Sequence, residues 1–436
     1  MYRHISSLII ATSALTAAAQ STPWTLDSCI SYAIDHNLTV RSQQLEATSA
    51  ELAVTEARDR FLPTAEAGAS QTFNFGRGLT SDNTYADRNT GQFGWNLGVN
   101  LPLFQGLSAK RRLDYSKANL NTMLMQIEAA KDDVELQVIS LYLQALYTRE
   151  LHEIALEQVR ISEVELSRME VLLDAGKIPE LDLTQARSQL AQDQMTAVNA
   201  ASDHKIALLD LAQALQLDNT DSFNIAPITD DNSAIPNPDA VYSSALYSNS
   251  SLRASQLAIE ASEKNIRLAK TGYYPTLSFN AGISSNYYNI SGISNPSFGR
   301  QMRDNFNKYL GFTLSIPIFD AFSTRNSIRR ANVEKLNAEL RLEDSRSNLQ
   351  KAIRQAALRA ESAANKLNAA IVARDAAREA LDAMQEKYNF GRANATEFEQ
   401  AKSTYIKAAC DVVSARYESL LRIRILHFYQ SPSGKR

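Results

Sequence analysis

The chain has 436 residues, a formal net charge of -3 and 44% hydrophobic residues. So little net charge excludes a nucleic-acid surface built on bulk basicity. The five histidines, His4, His36, His152, His204 and His427, are too scattered for a metal cluster; His152-Glu153 lacks a second histidine four residues on, and no nucleophile motif or phosphate loop occurs, so neither an enzyme nor any cofactor is expected.

Met1-Tyr2-Arg3-His4, an apolar stretch from Ile5 and then Ala17-Ala18-Ala19-Gln20 read as a secretory signal peptide over residues 1–19. Gln20 in place of a cysteine speaks against a lipid anchor there. No later apolar run approaches the roughly 20 residues of a membrane-spanning helix. The mature chain is therefore expected to be exported.

Residues 20–217 form a first structural unit. A helix is expected from Leu26 to Arg60, stopped by Pro63, which lacks an N–H and disfavours helix in the residue before it. Strands follow at about 64–76 and 92–103. In the second, Phe93, Trp95, Leu97, Val99 and Leu101 alternate with Gly94, Asn96, Gly98 and Asn100. Period two over ten residues fits a membrane-barrel strand, apolar to lipid and polar to the lumen; a half-buried strand of a soluble sheet has the same period. Aromatics near the strand ends (Phe73, Phe75, Phe93, Trp95) fit interfacial girdles, and the polar link Arg77 to Thr90 reads as an extracellular loop.

A proline-free helix then spans about 108–174, some 67 residues or about 100 Å at 1.5 Å per residue. Val134, Val138, Leu141 and Ala145 make one apolar stripe; Leu136, Leu143 and Leu146 begin another, so the helix needs neighbours on two sides. Gly176 supplies a left-handed reversal, and a return helix runs from about Pro179 to Leu217. Return helix (~57 Å) and first helix (~51 Å) stacked end to end match the long helix. On that scheme Cys29 and Cys410 lie far apart, beyond the roughly 7 Å that a disulfide allows, and are expected to be free thiols.

Residues 218–237, rich in Asn, Asp, Ser and Pro, form a linker, and residues 238–428 repeat the first unit, ahead of a tail at 429–436. Ala33-x-x-x-Asn37-x-x-x-Arg41-x-x-Gln44-Leu45 returns as Ala245-x-x-x-Asn249-x-x-x-Arg253-x-x-Gln256-Leu257; Pro63-Thr64 as Pro275-Thr276; Leu101-Pro102-Leu103-Phe104 as Ile316-Pro317-Ile318-Phe319; Gly176 with Asp182 and Ala186 as Gly391 with Glu397 and Ala401. A spacing of about 210 residues is too long for a solenoid and means two copies of one unit. The second copy predicts a helix from Pro238 to Thr271, strands at about 276–288 and 308–318, an alanine-dense long helix at about 323–389 and a return helix from Asn394 to Phe428, with girdle aromatics Tyr287, Tyr288 and Tyr309 and an extracellular loop Asn289 to Asn307.

Four membrane strands cannot close a barrel, and lipid does not tolerate open edges. The chain must oligomerise: a dimer gives eight strands, a trimer twelve.

The duplicated Asn-x-x-x-Arg helix, the Pro-Thr strand entry, the Leu-Pro-Leu-Phe exit and the Gly-to-acid turns together resemble the outer-membrane efflux proteins of the TolC type, over nearly the whole mature chain. The resemblance implies a mainly α fold with a β-barrel portion: a homotrimer sharing a twelve-stranded outer-membrane β-barrel continued by a twelve-helix periplasmic α-barrel. It implies an exit duct, for tripartite efflux or type I secretion, joined to an inner-membrane transporter by a periplasmic adaptor and gated at its periplasmic tip. In the family's pattern Asp182 falls at a latch carboxylate and Tyr388 at the tyrosine that bonds it; Arg392 lies one position from the latch arginine; Glu397 and Gln400 occupy the two constriction-ring positions; Gln185 completes the gate set. The turns, Gly176, Lys177, Ile178 and Gly391, Arg392, Ala393, are the implied adaptor contacts. Read from helix physics alone, Asp182 and Glu397 are acids stabilising helix N-termini. The rival to a duct is a trimeric structural or adhesive coiled-coil protein of the cell surface.

Overall fold

The computed structural model describes residues 23–79, 84–87, 89–217, 223–228 and 234–430; the expected signal peptide lies outside them. In chain order the elements are α1 (Leu26–His36), α2 (Leu38–Asp59), β1 (Thr64–Asn74), β2 (Arg77–Leu79), β3 (Tyr85–Asp87), β4 (Thr90–Gln105), α3 (Ser108–Asp174), α4 (Glu180–Ala214), α5 (Pro238–Ser248), α6 (Ser250–Ala269), β5 (Thr276–Ile290), α7 (Phe298–Asp304), β6 (Asn307–Ser315), α8 (Ser323–Asn389) and α9 (Ala395–Gln430). The chain divides into two units, one of Met1–Val40, Lys131–Ala245 and Ala352–Arg436, the other of Arg41–Ala130 and Leu246–Lys351.

The first helix of each copy, expected to be continuous, is broken at the repeated asparagine. Asn37 and Asn249 both take extended backbone (φ -63, ψ 131 and φ -68, ψ 120). Their side chains then cap the next helix, Asn37 Oδ1 accepting from the Thr39 N–H at 2.8 Å and Asn249 Oδ1 from the Leu252 N–H at 2.9 Å. The Asn-x-x-x-Arg motif is thus a helix stop and restart, because asparagine satisfies N-terminal amides that the break exposes.

The strand-bearing unit holds a four-stranded antiparallel sheet in the order β1-β4-β5-β6. Its register places Phe93 opposite Tyr287, Leu97 opposite Ile283 and Leu101 opposite Phe279, with Phe279 opposite Phe312. Directly paired residues share a face, so these side chains line one apolar face, while Asn96, Asn100, Ser284, Asn280 and Thr313 line the other. Tyr309 lies on the polar face, where a Cβ on Gly282 would stand 2.7 Å from its hydroxyl; the glycine makes room for the ring. Pro102 sits where the β4–β5 register shifts, and Pro317, lacking an N–H, follows the end of β6 at Ser315, short of the expected 318. The two expected loops carry structure of their own: the β2–β3 hairpin in the first, α7 in the second.

The other unit is helical. Its fully buried Tyr142 on α3 ties down the N-terminal segment and the described part of the linker. Trp24 pairs with Ile225 as a parallel bridge, with backbone bonds Trp24 N–H to Asn224 O and Ala226 N–H to Trp24 O, both 2.9 Å. The Tyr142 hydroxyl lies 2.6 Å from the Ala226 carbonyl and 2.9 Å from that of Trp24, and Arg149 donates to Ile225 O at 3.2 Å. Burial pushes the Tyr142 phenol up to about 12, so it stays a donor. Cys29 is buried and Cys410 half-buried, both as free thiols.

Tyr142→Phe takes a donor from two half-buried carbonyls and is expected to destabilise this unit by about 1–3 kcal/mol. The check is amide hydrogen exchange in α1 and around Ile225; unchanged protection would mean the hydroxyl is dispensable.

Candidate gate at the two helix reversals

Helices α3 and α4 reverse at Gly176, and α8 and α9 at Gly391, both with φ +68. Each turn closes by the same pair of bonds. Lys177 N–H reaches Leu172 O at 2.9 Å and Gly176 N–H reaches Leu173 O at 2.8 Å; Arg392 N–H reaches Lys387 O at 2.8 Å and Gly391 N–H reaches Tyr388 O at 3.1 Å. This is the Schellman closure, which needs one left-handed residue and therefore glycine.

The helix starts after the turns differ. In α9, Asn394 and Glu397 cap each other: Glu397 N–H donates to Asn394 Oδ1 at 2.8 Å and Asn394 N–H to Glu397 Oε2 at 3.0 Å. Glu397, expected at a constriction ring, is half of a capping box. In α4, Pro179 occupies the cap position without a side-chain bond, and Glu180 and Asp182 lie in the first turn, where negative charge favours the helix dipole.

An apolar cluster of Met169, Leu183, Leu381, Tyr388 and Phe398 joins the two helix pairs behind the turns. Tyr388 stacks on Phe398, with ring centroids 5.0 Å apart and planes 6° from parallel. The Arg168 guanidinium stands over the Tyr388 ring, 4.6 Å from its centroid, and donates to Asn389 Oδ1 at 2.7 Å and Tyr388 O at 3.3 Å.

The expected partner of the Tyr388 hydroxyl is Asp182; the structure gives it Glu165 instead, with the hydroxyl donating to Glu165 Oε1 at 2.7 Å. Burial first, then the bond to Glu165 and its negative charge, push the phenol's pKa well above its ordinary value. Asp182 lines a cavity of about 260 Å³ together with Glu165, Gln185, Gln189, Tyr388 and Glu399. Asp182, Gln185 and Tyr388 are thus brought to one cavity. Arg392 and Gln400 are exposed. Lys177, Ile178 and Ala393 lie in the turns, Ile178 and Ala393 also packing on the apolar cluster.

Sequence reasoning missed the most buried charge here. Lys402 is 1% exposed and Asp193 2%. The Lys402 ammonium donates to Ser162 Oγ at 2.6 Å and reaches Asp193 Oδ2 and Glu399 Oε2, each at 3.4 Å. Asp193 also accepts from Gln158 at 2.6 Å, Ser162 at 2.5 Å and Gln189 at 2.9 Å. One charge pair therefore bolts α3, α4 and α9 together, with its lone pairs and protons satisfied as burial demands. A signal existed: Lys402 falls one helical turn after the buried Phe398, on the same inward face.

Lys402→Met alone strands the Asp193 carboxylate and is expected to cost about 3–5 kcal/mol, while Lys402→Met with Asp193→Leu recovers most of it. Hydrogen exchange in α4 and α9 reads both; equal losses in single and double variants would show that the pair does not act as a unit. Burial holds the Glu399 carboxyl above its ordinary range, against the opposing Lys402 charge. The folded chain keeps that proton to higher pH than the unfolded chain, so this contribution to stability is complete below the ordinary glutamate pKa and is lost as pH rises through the raised value. Glu399→Gln should flatten the pH dependence of α9 protection above the ordinary glutamate pKa of about 4.3; an unchanged slope would assign the dependence elsewhere.

The sequence model described as outer membrane efflux protein matches residues 29–216 and 241–423, one stretch in each copy. The chain is 27% identical over 192 residues to Outer membrane protein TolC of Escherichia coli, covering 43% of this chain and 38% of TolC. It is 22% identical over 353 residues to Outer membrane efflux protein BepC of Brucella suis, covering 80% of this chain and 73% of BepC. Among solved structures, the Campylobacter jejuni CmeC outer membrane channel superposes with a TM-score of 0.77 at 15% identity over 94% of this chain and 87% of that one. VceC of Vibrio cholerae superposes with a TM-score of 0.74 at 13% identity over 93% and 96%.

Proposed function

This chain belongs to the outer membrane efflux protein family, whose sequence model spans both of its copies, and on that premise we propose that it is a passive exit duct through the outer membrane, serving a tripartite efflux or type I secretion system. The working form is a homotrimer. One observation carries this reading: a four-stranded sheet with one apolar and one polar face ends in β1 on one side and β6 on the other. Each outer strand has a row of backbone groups with no strand partner among the described residues, which lipid does not tolerate. Three copies joined β6 to β1 pair every edge and close a twelve-stranded barrel, apolar face to lipid and polar face to the lumen. The strands have the reach: β1 has 11 residues, β4 16, β5 15 and β6 9, against about 9–11 for a tilted membrane strand.

The duct needs no chemistry of its own; an inner-membrane transporter supplies energy, and a periplasmic adaptor contacts the turns at Gly176-Lys177-Ile178 and Gly391-Arg392-Ala393. The gate is the packing of the α3–α4 pair on the α8–α9 pair. Asp182, Tyr388, Arg392, Glu397, Gln185 and Gln400 are proposed to form its polar surface, with Glu165 as the acceptor that keeps Tyr388 inward. Opening requires the Tyr388 hydroxyl to leave Glu165.

The full-length protein in planar bilayers tests this. Tyr388→Phe with Glu165→Gln removes a partly buried charged hydrogen bond of about 1–3 kcal/mol, which shifts a closed-to-open equilibrium by roughly 5- to 150-fold. Conductance or open time should rise severalfold while the trimer's heat-modifiable migration is retained. Unchanged conductance rejects the gate; a monomer in the membrane fraction rejects the duct.

A further inference from the structure

The link between β5 and β6 folds back on the sheet, and the face it chooses is informative. Phe298 of α7 packs on Phe93 and Tyr287, with ring centroids 5.8 and 5.2 Å away, and Phe306 on Trp95 at 6.3 Å. Ser285 donates to Met302 O at 2.7 Å. Phe93, Trp95, Ser285 and Tyr287 all belong to the apolar face. A plug for the lumen would lie on the opposite face, with Gly94 and Asn286. The segment is pinned in place: Gln301 accepts from the Tyr288 N–H at 2.9 Å and donates to the Tyr288 carbonyl at 2.8 Å, and Asn305 donates to Asn286 O at 2.7 Å.

Its height along the strand follows from register. β5 starts at Thr276 beside the helices, and about 9–11 tilted residues cross the hydrocarbon. Ser285 and Tyr287 come just at the far end of that crossing. What the segment leaves exposed is chemically specific. Phe298 is 51% and Phe306 43% exposed. The Arg300 and Arg303 side chains are 69% and 80% exposed around Asp304, which lies 3.5 Å from Arg300 and 3.7 Å from Arg303. Lys308, on the same face opposite Ile283, stands 5.5 Å from the Phe306 ring. Arg300 and Arg303 beside one carboxylate at the water boundary, with Lys308 two register positions nearer the hydrocarbon and aromatics around them, are built for anionic headgroups over acyl chains.

We propose that α7 and the start of β6 form a docking surface for the phosphorylated glycolipid of the outer leaflet, with Arg300, Arg303 and Lys308 on its phosphates and Phe298 and Phe306 on its acyl chains. The assignment rests on the duct reading, since it needs the apolar face to meet lipid. It adds an annular lipid of defined chemistry that anchors the barrel rim at this loop.

Full-length protein extracted from outer membranes in mild detergent is titrated with lipid A, the diphosphorylated glycolipid anchor, and in a second arm with phosphatidylglycerol. Bound lipid is counted by native mass spectrometry. Wild type is expected to hold lipid A, and Arg300→Gln/Arg303→Gln/Lys308→Gln to weaken that binding at least roughly tenfold, with trimer mass and conductance unchanged. If the triple variant does not assemble, Arg300→Gln/Arg303→Gln is read in the same way. Equal lipid A occupancy in variant and wild type, or phosphatidylglycerol held as well as lipid A, overturns the proposal. Absence of a trimer and of conductance in the wild type overturns the duct itself, and the lipid surface with it.

Discussion

Backbone hydrogen bonding sets the terms for this protein. A strand can give half its amides and carbonyls to one neighbour and must find a second neighbour for the rest. Among the described residues, β4 and β5 find both; β1 and β6 find one each. In water the open rows would be solvated. The apolar face carries Leu97, Phe279, Ile283, Leu310 and Phe312, and if that face meets lipid, as proposed, no water is at hand to do it. On the proposed duct reading the sheet is a fragment, and copies of the same chain are the partners that would complete it.

The helical unit solves the opposite problem. Long helices with small, repetitive apolar side chains can slide past one another with little loss of packing. Buried polar groups remove that freedom. Lys402 meets Asp193, Ser162 and Glu399 at one axial setting of α3, α4 and α9; displaced by a turn, it would lose these partners. Tyr142 does the same for the linker and the N-terminal segment, through two carbonyls that only one placement of Trp24 and Ala226 brings together.

Duplication shows which features the backbone requires and which are free to change. Both copies keep the asparagine break and the left-handed glycine of the reversal, because each is a conformational demand that few residues satisfy. The side chains beyond those points have diverged. The second copy starts its return helix with an Asn394–Glu397 box, the first with Pro179 and two acids. The candidate gate lies in the diverged part, where Tyr388 of the second copy reaches across to Glu165 of the first.

Local chemistry was legible in the residue order. Period-two alternation from Phe93 to Leu101, the proline stops, the proline-free long helices and the two reversal glycines each depend on a few neighbouring residues, and the tandem copy let one half corroborate the other. Family membership followed from those same motifs. The asparagine break was visible as a repeated motif but not as a break, since helix continuity is a balance of small propensities that a single cap can tip. Long-range partnership was not legible: Tyr388 with Glu165, Lys402 with Asp193 and α7 with the apolar face join residues that the sequence gives no reason to pair. Spacing along a helix says which side chains share a face, and only the packing of separate helices and strands decides which of several equally suitable acids, amides or rings stands within 3 Å of them.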